Sequence, residues 1–205
     1  MKNNLRELIT QFLLIVFSVV LGLYLSERIE ERKQKQASEE LLSVVKAEVK
    51  DNIILLNEWV PYHQEIDKKL DSLKNDPAFV QGFIKNKFIF FEKLMTKGTF
   101  MAMNPVSDAW DIAKGHPLIV DFDYDEMLVL SRIYNQQKST FEPAMEMLEI
   151  FSSKDVNNAK DAKANLELMS ERWHELAARE RQLMGFFREG VKVLDLKNFN
   201  VDTEK

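Results

Sequence analysis

The chain has 205 residues, a formal charge of -5 and a charged fraction of 30%, a balance that argues against a general phosphate-binding surface, so no nucleic-acid partner is expected. Because Cys is absent, disulfides, thiolate metal sites, a Cys nucleophile and a lipidated Cys anchor are excluded. Six Gly and five Pro are too few for the turns of a β-sandwich, while Leu, Glu, Lys, Met and Ala are plentiful, so an all-α fold is expected.

After a short flank at 1–7, the run from Leu8 to Leu25, LITQFLLIVFSVVLGLYL, carries no charge, and about 18 such residues span a bilayer core as a helix. The competing reading is the apolar region of a cleaved signal peptide behind Lys2 and Arg6. Val20 and Gly22 are the best small-residue pair there, with no A-x-A pattern, so a retained transmembrane helix over 8–25 is expected. A buried helix of a soluble core seldom needs so long a charge-free stretch. Orientation is drawn both ways. Arg28, Arg32, Lys33 and Lys35 outnumber Lys2 and Arg6 with the α-amine, which favours a cytoplasmic C-terminal domain. A very short basic N-terminus before an apolar segment has the form of a signal anchor, which sends the C-terminal part outward, and export is the reading preferred.

Residues 26–37 hold Ile29 as their apolar residue. They read as a charged helical spacer of roughly 18 Å at about 1.5 Å per residue, with Glu31 and Lys35 as an i,i+4 pair. From Leu42 onward, Val45, Val49, Asn52, Leu56, Trp59, His63, Ile66, Leu70 and Leu73 recur at spacings of three and four, widened by Leu41, Ile53 and Val60. This pattern fits a long bundle helix or an inter-chain coiled coil, and the width of the stripe favours burial within the domain. Pro61 is expected to kink or split the helix.

Asp76 and Pro77 make an N-cap and a first helical residue, predicting a helix over 77–97 that stops at Thr96-Lys97-Gly98. A strand through Lys87 to Phe91 is the competing reading. The six Phe between Phe79 and Phe100, interleaved with Lys85, Lys87, Lys93 and Lys97, are expected to fill the core rather than form a membrane or partner patch. Next, Ser107 or Asp108 caps a short helix carrying Trp110 and Ile112. Gly115 is expected as a left-handed stop, and Pro117 forbids continuation. Asp121, Asp123, Asp125 and Glu126 then sit at the start of another helix, where acidic groups are stabilising.

The segments LYLSERIEERKQKQ, LLSVVKAEVKDNIILL, AWDIAKGHP and YDEMLVLSRIYNQQ together resemble a group of bacterial single-pass membrane proteins of unknown function. The likeness covers most of residues 8 to 138. It implies an N-terminal transmembrane helix followed by a helical domain, at a bacterial inner membrane, and no particular chemistry. Members of that group often have a longer, more basic N-terminus than MKNNLRE, which favours an N-inside topology for them. With the signal-anchor form of this chain, the domain is expected on the periplasmic side.

Two long helices close the chain. Met127, Leu130, Tyr134, Phe141, Ala144, Leu148 and Phe151 define one face, with Pro143 as a kink. After a turn at Ser152 to Asn158, Ala162, Leu166, Met169, Trp173, Leu176, Leu183, Phe187 and Leu194 define the other, with Gly185 and Gly190 weakening its end. Such helices pack antiparallel. The domain is thus an antiparallel helical bundle over 38–196, with a frayed polar tail at 197–205.

No catalytic or metal-binding motif survives inspection. His174-Glu175 opens like a zinc-protease motif, but Ala178 stands where the second ligand belongs. Asp121, Asp123 and Asp125 open like a calcium loop, but Glu126 replaces its glycine and Arg132 its closing glutamate. His63, His116 and His174 stand singly, and neither a Gly-rich phosphate loop nor a G-x-S-x-G elbow is present. No cofactor is expected. The leading expectation is a membrane-anchored interaction or scaffolding protein. Membrane lipid would surround residues 8–25, and a protein partner or a second copy would meet the bundle surface or the Asn52-containing seam. The alternative is a sensor or carrier with a small ligand between helices near Trp110, Phe122 and Tyr134. An enzyme without a recognisable motif is third.

Overall fold

A computed structural model describes residues 2–85, 94–101, 103–152, 162–197, 199 and 201. The order is α1 (Lys2–Leu73), α2 (Pro77–Lys85), α3 (Asp108–Gly115), a 3-10 turn (Pro117–Asp121), α4 (Tyr124–Ser152) and α5 (Ala162–Val193). No strand occurs among the described residues, and the protein is all-α.

Helix α1 runs 72 residues without a break, which is about 108 Å at about 1.5 Å per residue. Its lower part stands alone: every side chain from Thr10 to Gln36 is exposed. It is the one helix among the described residues long and apolar enough to cross a membrane, and none of its apolar stretch is buried. In the charged segment Glu31 pairs with Arg28 at 3.2 Å, an i,i+3 contact instead of the expected one to Lys35. The segment is also not a free spacer throughout, since Gln34 Nε2 donates to Asp121 Oδ2 at 2.8 Å and Ser38 Oγ to the Leu118 carbonyl at 3.2 Å.

Above that point the heptad-like stripe is buried inside the chain itself. Val45, Val49, Ile53, Leu56, Ile66 and Leu70 have no more than 1% exposure. Pro61 does not split the helix. Its ring lies on the exposed side, where solvent can hydrogen-bond backbone groups that lose their helical partner.

Helix α5 lies antiparallel to both long neighbours. Along α1, Glu180 meets His63 and His174 meets Asp67. Along α4, Glu189 meets Arg132 and Arg179 reaches the Ser139 carbonyl. Helices α1 and α4 run parallel, with Lys46 on Glu126 and Asn52 on Gln137. Trp173, Met169, Leu183 and Phe187 of α5 fill the space between them with Leu130 and Ile133 of α4, all fully buried. Gly190 serves close packing: a Cβ there would sit 2.7 Å from Ile133 Cδ1.

The short elements follow their local chemistry. Asp76 Oδ1 accepts from the Ala78 amide at 2.8 Å, capping α2 as expected. Gly98 has φ +71 and donates to the Met95 carbonyl, the turn expected at Lys97-Gly98. Helix α2 is described to Lys85, so residues 86–93 of the expected 77–97 helix and the Lys87 to Phe91 strand fall outside the described residues, as does most of the Ser152 to Asn158 turn, while Met95 to Lys97 lie in a turn instead of the expected helix. Phe83 and Phe100 are buried in the core and Phe79 packs against it. Gly115 is not left-handed. Helix α3 ends through an extended His116, whose amide donates to Ala113. Beyond α5, Leu196 and Val201 are buried and Phe199 packs on the core under Lys50, where a frayed polar tail was expected.

Candidate functional site

Two buried polar constellations organise the surface of the bundle. The first fixes the segment 104–110. Glu48 of α1, 8% exposed, accepts from the first-turn amides of α3, Ala109 at 2.7 Å and Trp110 at 3.3 Å, and from the Tyr134 hydroxyl at 2.6 Å. Ser107, the cap position, makes no side-chain cap and donates to Asp111 Oδ2 instead. A carboxylate some 60 positions upstream therefore satisfies the orphan donors of the helix start. One turn along, Asn52 treats Val106 as a strand neighbour would. Its Nδ2 donates to the Val106 carbonyl at 2.8 Å, its Oδ1 accepts from the Val106 amide at 3.0 Å, and Gln137 adds a second donor at 3.0 Å.

These clasps shape a cleft of about 800 Å³, open to solvent, between segment 104–107, α3 and α4. Trp110 and Tyr134 line it as a parallel stack, centroids 5.6 Å apart and planes at 8°. Phe141 and Met145 extend the apolar wall. The rim is charged, with Lys114 on Asp111 at 2.7 Å, Lys138 near Glu142 at 3.6 Å, and Glu146 as a third carboxylate. Of the three residues expected around a pocket, Trp110 and Tyr134 come together here. Phe122 is buried at the end of the 3-10 turn and does not line the cleft.

Ser107 has a carboxylate neighbour, but the Lys114 ammonium, followed by the Ser107 hydroxyl, holds Asp111 below the usual carboxylate range, so it is a weak base. Burial, then the Glu48 carboxylate, pushes the Tyr134 phenol far up, and it stays protonated as a donor to Glu48.

The second constellation lies on the α1–α5 seam. His63 and Glu180 are both fully buried, with Nδ1 and Oε1 2.6 Å apart. Nε2 lies 2.9 Å from the Phe100 carbonyl. The Phe100 ring stacks on the imidazole at 4.5 Å, and Trp173 donates its indole N–H to the His63 carbonyl. Desolvation raises the Glu180 carboxyl above its ordinary value, opposed by His63.

The residues of the failed motifs have ordinary partners. His174 is exposed and sits beside the largely buried Asp67, and Glu175 is held low by Arg179 and Arg172. Asp121 accepts from Gln34, and Glu126 pairs with Lys46. Among the described residues no group of three or more His, Cys, Asp or Glu is placed to hold a metal ion.

From the sequence Asn52 and His63 are members of an apolar stripe, the first on a candidate partner seam and the second a histidine standing singly, and neither is given its buried partners. The signal that sets them apart is a polar residue at a position demanding burial, which requires a buried partner. Glu48 and Glu180 gave no such signal, because an acidic residue on a long helix is ordinarily solvated. The chain matches no protein-family model, no curated protein and no solved structure.

Proposed function

We propose that the protein is a membrane-anchored interaction or scaffolding module. In this reading α1 crosses a bacterial inner membrane with residues 8–25 and presents the bundle on the periplasmic side. The observation that carries it is the continuity of α1, whose wholly exposed apolar lower part and buried upper part belong to one unbroken helix. An apolar surface of that size left bare in water would drive aggregation. The likeness to bacterial single-pass membrane proteins agrees with it. The apolar seam is not the docking face, since the chain's own α5 occupies it, and Asn52 is satisfied by Val106 and Gln137. Partners therefore meet the outer surface, where the cleft beside Trp110 and Tyr134 is the feature that also supports the alternative of a bound small ligand. The test is a topology reporter fused after residue 40 and again at Lys205. An exported signal at both positions is expected, and a cytoplasmic signal would overturn the orientation. Self-association or a co-purified partner of the detergent-solubilised protein is expected alongside. A monodisperse monomer that captures nothing would count against the scaffolding role and leave the ligand reading, to be probed by screening the cleft.

A further inference from the structure

The seam between α1 and α5 holds a proton whose presence follows from geometry. His63 Nε2 faces the Phe100 carbonyl oxygen at 2.9 Å, an atom that only accepts, so Nε2 carries hydrogen. Nδ1 faces a carboxyl oxygen at 2.6 Å, and two lone pairs do not meet at that distance. A proton lies between them, whether drawn as imidazolium with carboxylate or as imidazole with carboxylic acid. Both side chains are fully buried, and among the described residues Glu180 Oε2 has no hydrogen-bond partner.

The same imidazole is the anchor of a strap. Residues Lys97 to Met101 cross α1 here. Lys97 pairs with Glu58 at 2.9 Å and sits 4.4 Å over the Trp59 ring, and the Tyr62 hydroxyl donates to the Thr99 carbonyl. Phe100 is inserted between His63 and Trp173, stacked on the first and edge-on to the second. We propose that His63 and Glu180 share one proton at neutral pH and form a pH-sensitive latch that holds the strap Lys97 to Met101 against the α1–α5 seam.

The charged and titratable surroundings are few. From α5, Arg181 acts on Glu180, and His174 sits on Asp67 one turn along α1 from His63. From the strap comes Lys97, and from α1 the Tyr62 phenol, which burial pushes up. Among the described residues none of these makes a hydrogen bond or ion pair with His63 Nδ1 or Glu180 Oε1, and Arg181 acts on Glu180 through charge alone. Unfolded His and Glu titrate near about 6.5 and 4.3. Between those values the unfolded chain also keeps one proton on this pair, so the latch contributes no pH slope. Above about pH 6.5 the unfolded pair holds none while the closed latch holds one, so the closed state weakens by up to about tenfold in its equilibrium constant per pH unit. Below about pH 4.3 the unfolded pair gains a second proton, and the closed state weakens again.

The natural chain lacks Cys, which makes single-cysteine labelling clean. In the full-length protein in detergent, Met101→Cys reports strap opening, since Met101 is 9% exposed. Thr99→Cys, at an exposed position, corrects for thiol chemistry. The expected result is a labelling ratio that is flat from pH 5 to 6.5 and rises at least threefold by pH 8.5. In Glu180→Gln the amide donates to Nδ1 with no proton to share, so the alkaline rise is expected to vanish and an opening below about pH 6.5 to replace it. Equal pH profiles in the two backgrounds would overturn the latch. Should Glu180→Gln not fold, nitrogen-15 histidine spectra of the unaltered protein at pH 7.5 decide. A buried ring with both nitrogens in hydrogen-bonded N–H environments, or with a far-downfield shared proton, is expected. A neutral ring whose Nδ1 shows neither an N–H nor a shared downfield proton would sink the proposal.

Discussion

Glu48 does more for this structure than its position in a charged helix announces. Three donors converge on its carboxylate in a site 8% exposed, so Glu48→Ala leaves two amides and a phenol without their acceptor. A loss of about 3 kcal/mol is expected, since each orphaned buried donor costs about 1 to 3 kcal/mol and the segment relaxes partly toward water. Tyr134→Phe removes one bond and leaves the other two, for about 1 kcal/mol. Denaturant titration of the two variants checks the ranking, and a Glu48→Ala cost no larger than that of Tyr134→Phe would refute it. The contrast explains what was readable at this scale. Asp76 caps the amide two residues ahead, so its role is written locally. Glu48 acts across more than half of the domain, and no local spacing encodes that. His63 and Asn52 lay between, recognisable as polar side chains in a buried stripe but without their partners.

At the scale of elements, spacing of three and four located the buried faces of α1, α4 and α5, because packing follows periodicity. Prolines were read less well. Pro61 and Pro143 sit inside helices that continue, on sides where solvent can compensate. Pro61→Ala therefore restores a main-chain donor without disturbing packing, and is expected to stabilise by about 1 to 3 kcal/mol, seen as a higher Tm. An unchanged or lower Tm would mean the ring has a role in bending α1. Where α4 meets α5 the opposite applies. Gly190→Ala gains helix propensity of about 1 kcal/mol but drives a Cβ against the fully buried Ile133. Overpacking of about 1 to 3 kcal/mol should win. Adding Ile133→Val should recover most of that loss, and simple additivity of the two changes would exclude the proposed contact.

For the whole molecule, the division between a bare apolar helix and a packed bundle was legible, since a long uncharged run and an amphipathic stripe have different solvents written into them. The wrapping of the C-terminal stretch was not. Leu196, Phe199 and Val201 are too few and too widely set to show a period, yet they close the core. Because the side chains from Thr10 to Leu25 are all exposed, a fragment starting at Ser26 is expected to be soluble without detergent. Its Tm should lie within a few degrees of that of the solubilised full chain, by circular dichroism. Aggregation of that fragment would show that the apolar segment covers part of the bundle. Removing residues 196–201 instead should lower the Tm, as the buried Leu196 and Val201 would no longer shield the core.

The clasping residues Ser38, Glu48 and Asn52 belong to the same unbroken helix as the apolar run. No joint separates them, so the azimuth of the lower end and the form of the cleft are a single coordinate. Turning α1 about its axis by the roughly 100° that separates successive residues would carry Glu48 and Asn52 out from beneath Val106 and α3 and release both clasps together. Whatever grips or twists the lower end is therefore geared, by a shaft of about 1.5 Å per residue, to the stacked rings of Trp110 and Tyr134.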